Sequence, residues 1–279
     1  MCKPAKAGYI ICYNYISYLK YKTLLGCFMD IKEVAEIATA AGEILLRNGA
    51  EAYRVEETIK KICNSYGYEG ECISNSTGIF ISVITPDGHM VTSVKRIKQR
   101  DVDLYRIERI NSFSRDLNNN PLSYEEAKKV LSEIYNAPNF SLGVRLLAAS
   151  MTAFVYTLFF NGTVLDAIVS AIISIGVYYT LDKLSRNGMF QFLSYYLSGL
   201  IIGTVSLALQ LLIPEINKDN VITGAIIVLL PGVAFTNGIK DILYGDYVSG
   251  SAKLSEAILI IIAMGVGIAT ALSLLLKWI

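Results

Sequence analysis

The chain is poor in the residues that build reactive or metal-binding centres. His89 is its one histidine, and the five cysteines (Cys2, Cys12, Cys27, Cys63, Cys72) are scattered without a C-x-x-C pair. Metal sites need clustered ligands at short spacings, so this pattern argues against one, and no cofactor is expected. Scattered thiols suit a reducing compartment. His89 follows a Pro86-Asp87-Gly88 turn with no nucleophile set against it, and reads as a surface turn residue. Charge of one sign is lacking too: the formal net charge is +1, which excludes the strongly basic balance of a nucleic-acid binder. A clean signal peptide is also missing. Residues 1–28 are rich in Tyr and Lys but hold no apolar core and no small-residue cleavage site. They read as a weak interfacial segment or as sequence before a start at Met29.

Apolar sequence is plentiful, at 53% of residues, and it is unevenly placed. Residues 29–139 carry most of the charge and read as one domain. Residues 140–279 read as membrane. In the first part, Val34, Ile37, Ala38, Ala41, Ile44 and Leu45 recur at helical spacing up to an Asn48-Gly49 stop. Val55, Ile59 and Ile62 mark a second helix over 51–66. Strand-like pieces follow at 71–74, 78–85 and 89–94, the last two forming a hairpin. Ser76-Thr77-Gly78 reads as a strand entry. Helices are predicted at 101–117 and 123–135, where Ser123 and Glu126 form a capping box. The expected fold of this part is an α+β domain with a small antiparallel sheet.

The second part divides into five spans, at about 143–160, 163–181, 190–213, 220–243 and 254–276, each near the ~20 residues a bilayer requires. Short turns join them, the last at 245–253. Arg145, Lys183, Arg186, Lys240 and Lys253 fall on one side, Lys218 and Lys277 on the other. This bias places the N-terminal domain in the cytoplasm and the C-terminus outside, with Trp278 as an interfacial anchor. The whole is an α-helical polytopic membrane protein with an N-terminal α+β cytoplasmic domain. Gly199 with Gly203, and Gly265 with Gly267, read as close-packing positions. Asp166 lies near a span end, where snorkelling explains it.

The fourth span is broken. Residues 221–244, VITGAIIVLLPGVAFTNGIKDILY, run into Pro231-Gly232 and continue through Asn237, Lys240 and Asp241. Proline removes a backbone donor, and lipid offers no water to the freed carbonyl. Such breaks are tolerated at a protein-lined path, where transporters place substrate. Asn237 and Asp241 stand four residues apart and share a face, and the adjacent Lys240 is positioned to neutralise Asp241.

At these residues a family resemblance enters. LLPGVAFTNGIKDILYGDYVSGSAKLSEA (229–257) resembles the signature of the threonine/serine exporter family, and AGEILLRNGAEAYRVEETI (41–59) is similar to its N-terminal motif. STGIFISVITPDG and VKRIKQRDVDLYRIERINSFSR fit the same pattern. The similarity runs from about Met29 to the C-terminus. It implies a cytoplasmic domain, five spans and secondary export of small polar acids across a prokaryotic plasma membrane. Full-length members carry a second, smaller membrane half, which this sequence lacks. That departure implies a small multi-span partner protein, and it opens the substrate to threonine, serine or a dicarboxylate such as succinate. The signature falls on Pro231, Gly232, Asn237, Asp241, Gly245, Asp246 and Gly250, and the N-terminal motif on Glu51 and Arg54.

The expected mechanism is alternating access, driven by the proton gradient. Gly232 and the backbone freed by Pro231 contact the substrate, Asn237 hydrogen-bonds it, and Asp241 binds an ammonium group or carries a proton. Asp246 belongs to the same translocation set. A homo-oligomer is compatible with this reading. Two others compete: a membrane-anchored enzyme or sensor whose soluble domain does the work, and a passive channel.

Overall fold

A computed structural model describes residues 29–98 and 101–275. The expectations for residues 1–28, Lys277 and Trp278 lie outside the described residues. The described residues form two compact units, one of those up to Ala137 with Thr236–Lys253, the other of Pro138–Phe235 with those from Leu254 on.

In the first unit, α1 (Ile31–Arg47) starts at a capping box between Asp30 and Glu33. Its predicted stripe, Val34 through Leu45, is buried. Gly49 ends it at φ 87°, a left-handed position that glycine occupies without strain. Helix α2 (Ala52–Ser65) buries Val55, Ile59 and Ile62. All three predicted strand pieces form strands, and the first also pairs with the predicted hairpin. β1 (Glu69–Asn75), β2 (Gly78–Ile84) and β3 (Met90–Arg96) form an antiparallel meander in the order β1-β2-β3. Cys72 pairs with Ile81, and Ile81 with Ser93. Ser76 and Thr77 are therefore a hairpin turn rather than a strand entry. Ile79, Ile81 and Val83 alternate inward and share a core with both helices. At Gly42 of α1, a Cβ would lie 2.7 Å from Ile59 Cδ1 and 3.1 Å from Ile79 Cδ1, so helix, helix and sheet meet there. Helix α3 (Leu104–Asn119) is capped by Asp103, and α4 (Tyr124–Tyr135) by the Ser123–Glu126 box. Cys63 and Cys72 are buried in this core, and burial pushes both thiols up to about 12. They stay protonated and unreactive near neutrality.

The second unit draws on α5 (Leu142–Phe159), α6 (Val164–Arg186), α7 (Gln191–Leu212), α8 (Lys218–Ile227), the first turn of α9 (Gly232–Leu243) and most of α10 (Tyr247–Leu275). Helices α5, α6, α7 and α10 are long and apolar enough to cross a membrane, and α8 with α9 adds a fifth if the bent pair is one span. That pair is bent by 60° at the predicted Pro231-Gly232 break.

Three sequence readings are corrected here. The expected turn at 245–253 is mostly helix, because α10 already starts at Tyr247, with Gly250 N–H donating to Asp246 O at 2.9 Å. Its polar residues are accommodated by buried partners, so they do not force a loop. Asp166 does not snorkel. It is fully buried, boxed with Thr163, and accepts from Asn217 N at 2.8 Å and Asn220 Nδ2 at 3.4 Å. Among the four predicted packing glycines, Gly265 faces open space, whereas a Cβ at Gly199 would lie 2.3 Å from Met264 O and one at Gly267 2.2 Å from Tyr196 O.

Candidate functional site: a clasp on the α1–α2 turn

The site is built on the three-residue turn Gly49-Ala50-Glu51, within the first unit. A helix end leaves carbonyls without partners and a helix start leaves N–H groups without partners. Here four residues separate α1 from α2, and side chains from α9 and α10 meet two carbonyls of that turn and the first N–H of α2. Asn237 Nδ2 donates to Gly49 O at 2.7 Å, and Lys253 Nζ to Ala50 O at 3.2 Å. Ala52 N–H, at the start of α2, donates to Asp241 Oδ1 at 3.0 Å. The cation meets carbonyls and the carboxylate meets a helix N-terminus, so each charge matches the backbone dipole it faces.

The charges are also paired with each other. Asp241 Oδ2 lies 2.8 Å from Lys253 Nζ and accepts from Ser249 Oγ at 3.2 Å. Asp241 is completely buried and Lys253 nearly so. Lys240 Nζ reaches Glu51 Oε1 at 3.0 Å, while Arg54 Nε reaches Glu51 Oε2 at 2.9 Å. Lys240 is thus not the neutralising partner of Asp241. Consecutive helical residues point about 100° apart, and Lys240 faces the flank of the turn where Glu51 lies. Ser76 Oγ donates to Ser249 O at 3.2 Å, and the rings of Tyr53 and Tyr244 stack at 4.0 Å. Gly250 permits the crossing of α9 and α10, since a Cβ there would meet Gly238 O at 2.6 Å.

Outside the span segments, two kinds of acid surround the clasp. Burial pushes Glu51 up, but its backbone hydrogen bond, Lys240 and Arg54 outweigh this and hold it below the ordinary range. Asp246 is raised, by burial first and then by the nearby Asp241 charge, against a smaller pull from Lys253. Glu56 is likewise raised, by burial first and with a push from Asp246, although Ser74 N–H bonds it at 2.8 Å. The signs follow by linkage. Glu51 contributes stability above its ordinary pKa, which is lost as pH falls through its lowered value. Asp246 and Glu56 favour the folded state while protonated, and that contribution is lost as pH rises through their raised values. Asp246→Asn is therefore expected to raise the unfolding temperature at pH 7. The gain should shrink as pH approaches 4, measured by thermal scans at both values.

The structure brings together Glu51, Arg54, Asn237 and Asp241. Asp246 sits in the turn beside them, its N–H donating to Asp241 O at 2.8 Å. Pro231 and Gly232 belong to the second unit. Sequence reasoning missed Lys253, Ser249 and Ser76 as parts of the site. Lys253 and Ser249 stand four residues apart on α10, inside the 229–257 segment, which is the signal that could have found them. Among the described residues, no group of three His, Cys, Asp or Glu side chains could hold a metal ion.

Four helices long and apolar enough to cross a membrane, with a bent pair that would add a fifth, give the chain the make-up of a multi-span membrane protein. The chain belongs to the threonine/serine exporter family, ThrE, whose model matches residues 36–275. It is 24% identical over 255 residues to the "Threonine/serine exporter" of Corynebacterium glutamicum, covering 88% of this chain and 52% of that protein. It is 21% identical over 245 residues to the "Probable succinate transporter subunit YjjP" of Escherichia coli, covering 87% and 95%. It is 22% identical to the "Probable threonine/serine exporter" of Mycobacterium tuberculosis, covering 46% of that protein. The chain thus spans about half the length of the two threonine/serine exporters and almost all of the succinate transporter subunit. No solved structure matches it.

Proposed function

We propose that the chain is one subunit of a secondary exporter of small polar acids, driven by the proton gradient and completed by a small multi-span partner. The observation that carries this reading is the family match over residues 36–275, combined with an alignment that covers 95% of a relative named a transporter subunit. In this proposal the bent α8–α9 pair is one of five spans, the first unit is cytoplasmic and the C-terminus is external. The backbone at Pro231 and Gly232 meets the substrate. Asn237, Asp241 and Asp246, with Glu51 and Arg54, form the gate that opens and closes with the transport cycle. The clasp supports a gating role because its groups already have partners. Opening must exchange those partners, and substrate or a proton can supply the exchange.

Efflux of labelled threonine, serine and succinate from preloaded cells tests the proposal, with and without the partner. One compound should leave faster only when both proteins are present, and at least tenfold more slowly with Asp241→Asn. Normal transport by Asp241→Asn would remove this residue from the mechanism. Unchanged efflux of all three compounds, with both proteins in the membrane, would sink the export reading.

A further inference from the structure

The sheet of the first unit has an outer face that the described residues leave open. A half-solvated antiparallel sheet turns apolar side chains to the core and polar ones to water. Ile79, Ile81 and Val83 follow this rule on the inner face. The outer face breaks it. Ile73 pairs with Phe80 and Phe80 with Val94, so three large apolar side chains form one row straight across the three strands. They are 69%, 47% and 62% exposed. Met90, also exposed, stands at one end of the same face beside Ile84. One polar row, Glu71, Ser82 and Thr92, lies between the two apolar groups. A contiguous exposed apolar patch of this kind marks a contact surface.

The place where the chain enters the unit decides what can reach this face. Tyr68 OH donates to Met29 O at 3.0 Å, and Met29 is buried in the core. Tyr68 directly precedes Glu69, the first residue of β1. Residues 1–28 therefore join the unit beside the start of β1. From there, rounding the end of the sheet takes ~10 Å, the spacing of packed layers. Ile73 lies four residues further along β1, or ~13 Å. The chain from Phe28 back to Lys20 spans up to ~26 Å when extended, so the stretch before it reaches the row with length to spare.

The chemistry of that segment matches the face. Residues 9–21, YIICYNYISYLKY, are dominated by Tyr and Ile, side chains that suit a half-buried sheet surface. The charges of residues 1–28 are all positive: Lys3, Lys6, Lys20 and Lys22, with no Asp or Glu. On the face, the end nearest Met29 carries Glu69 and Glu71, both exposed, while Arg96 lies at the opposite corner. Other occupants fit less well. Glu69 and Glu71 would meet an anionic membrane surface with like charge. The face measures about 23 Å by about 10 Å between strand axes. That is far below the ~800 Å² per partner of a stable dimer. A tethered segment needs no such area, because its local concentration is already about millimolar. We propose that residues 9–22 cover the outer face of the sheet, with apolar side chains on the Ile73–Phe80–Val94 row and Lys20 and Lys22 beside Glu69 and Glu71. The segment is then a strap over the first unit, whatever the chain transports.

Carbene footprinting of the full chain in lipid nanodiscs tests this, beside a chain lacking residues 2–28. Ile73, Phe80 and Val94 should label several-fold less in the full chain than in the truncated one. Glu69→Lys/Glu71→Lys in the full chain should restore most of that labelling, because it reverses the charge match and leaves the row intact. Ile79 and Ile81 on the inner face should stay unlabelled throughout, which separates uncovering from unfolding. Equal labelling of the row in the full and truncated chains would overturn the proposal. So would protection lost when anionic lipid replaces neutral lipid in the discs, which would assign the segment to the membrane. Protection that survives truncation and grows with protein concentration would assign the face to a second copy and overturn it as well. If the truncated chain does not fold, the charge-reversed full chain decides, and undiminished protection there would overturn the strap.

Discussion

Lys253→Ala is expected to destabilise the first unit by about 3–5 kcal/mol, the usual cost of breaking a buried ion pair from one side. Asp241 is completely buried, and Lys253 Nζ lies 2.8 Å from its carboxylate. Without the ammonium, the carboxylate keeps only Ala52 N–H and the Ser249 hydroxyl. Ala50 O also loses its donor. The double variant Asp241→Asn/Lys253→Met should recover most of the loss, because a neutral pair of similar volume avoids desolvating two charges. Denaturation of the purified chain in bilayer discs, arranged as a double-mutant cycle, measures the coupling. A single-variant loss below about 1 kcal/mol would mean the pair behaves as a solvated surface bridge. The clasp would then not hold the turn.

Gly199→Ala and Gly267→Ala should each cost about 1–3 kcal/mol or more by overpacking, whereas Gly265→Ala should be tolerated. The first two place a methyl 2.3 Å from Met264 O and 2.2 Å from Tyr196 O, both main-chain atoms that no rotamer change can move aside. At Gly265 nothing lies within 4 Å. Helices in lipid gain most of their association from close packing, so separating α7 from α10 should lower the unfolding temperature and the yield of folded protein together. Equal behaviour of the three variants would contradict the helix register described here.

Local chemistry made much of the chain legible in advance. The helix stop at Asn48-Gly49, the Ser123–Glu126 box and the stripe Val55-Ile59-Ile62 each depend on residues within a few positions of one another. Their physics is complete in a short window. The break at Pro231-Gly232 was legible for the same reason, since a missing N–H acts on its own turn of helix. Exporter-family membership was legible in two separated motifs, 41–59 and 229–257.

That these motifs form one site was not legible. Asp241 and Ala52 are 189 residues apart in sequence, and no local rule pairs them. The nearest cation in sequence, Lys240, was the natural candidate to neutralise Asp241, yet helix rotation sends it to Glu51 and a residue of the next helix takes its place. Asp166 was read at a span end because hydropathy sees distance along the chain. Its burial depends on Asn217 and Asn220, some fifty residues later. Likewise, the four glycines look alike in sequence. Which of them meets a backbone carbonyl and which faces open space depends on helix phase against a neighbour, and a single helix does not contain that information. The sequence by itself determined most of the elements, the ends marked by local caps and breaks, and the family. Tertiary structure decided which charges are paired and which glycines are crowded, because each of these depends on a second segment brought close by folding.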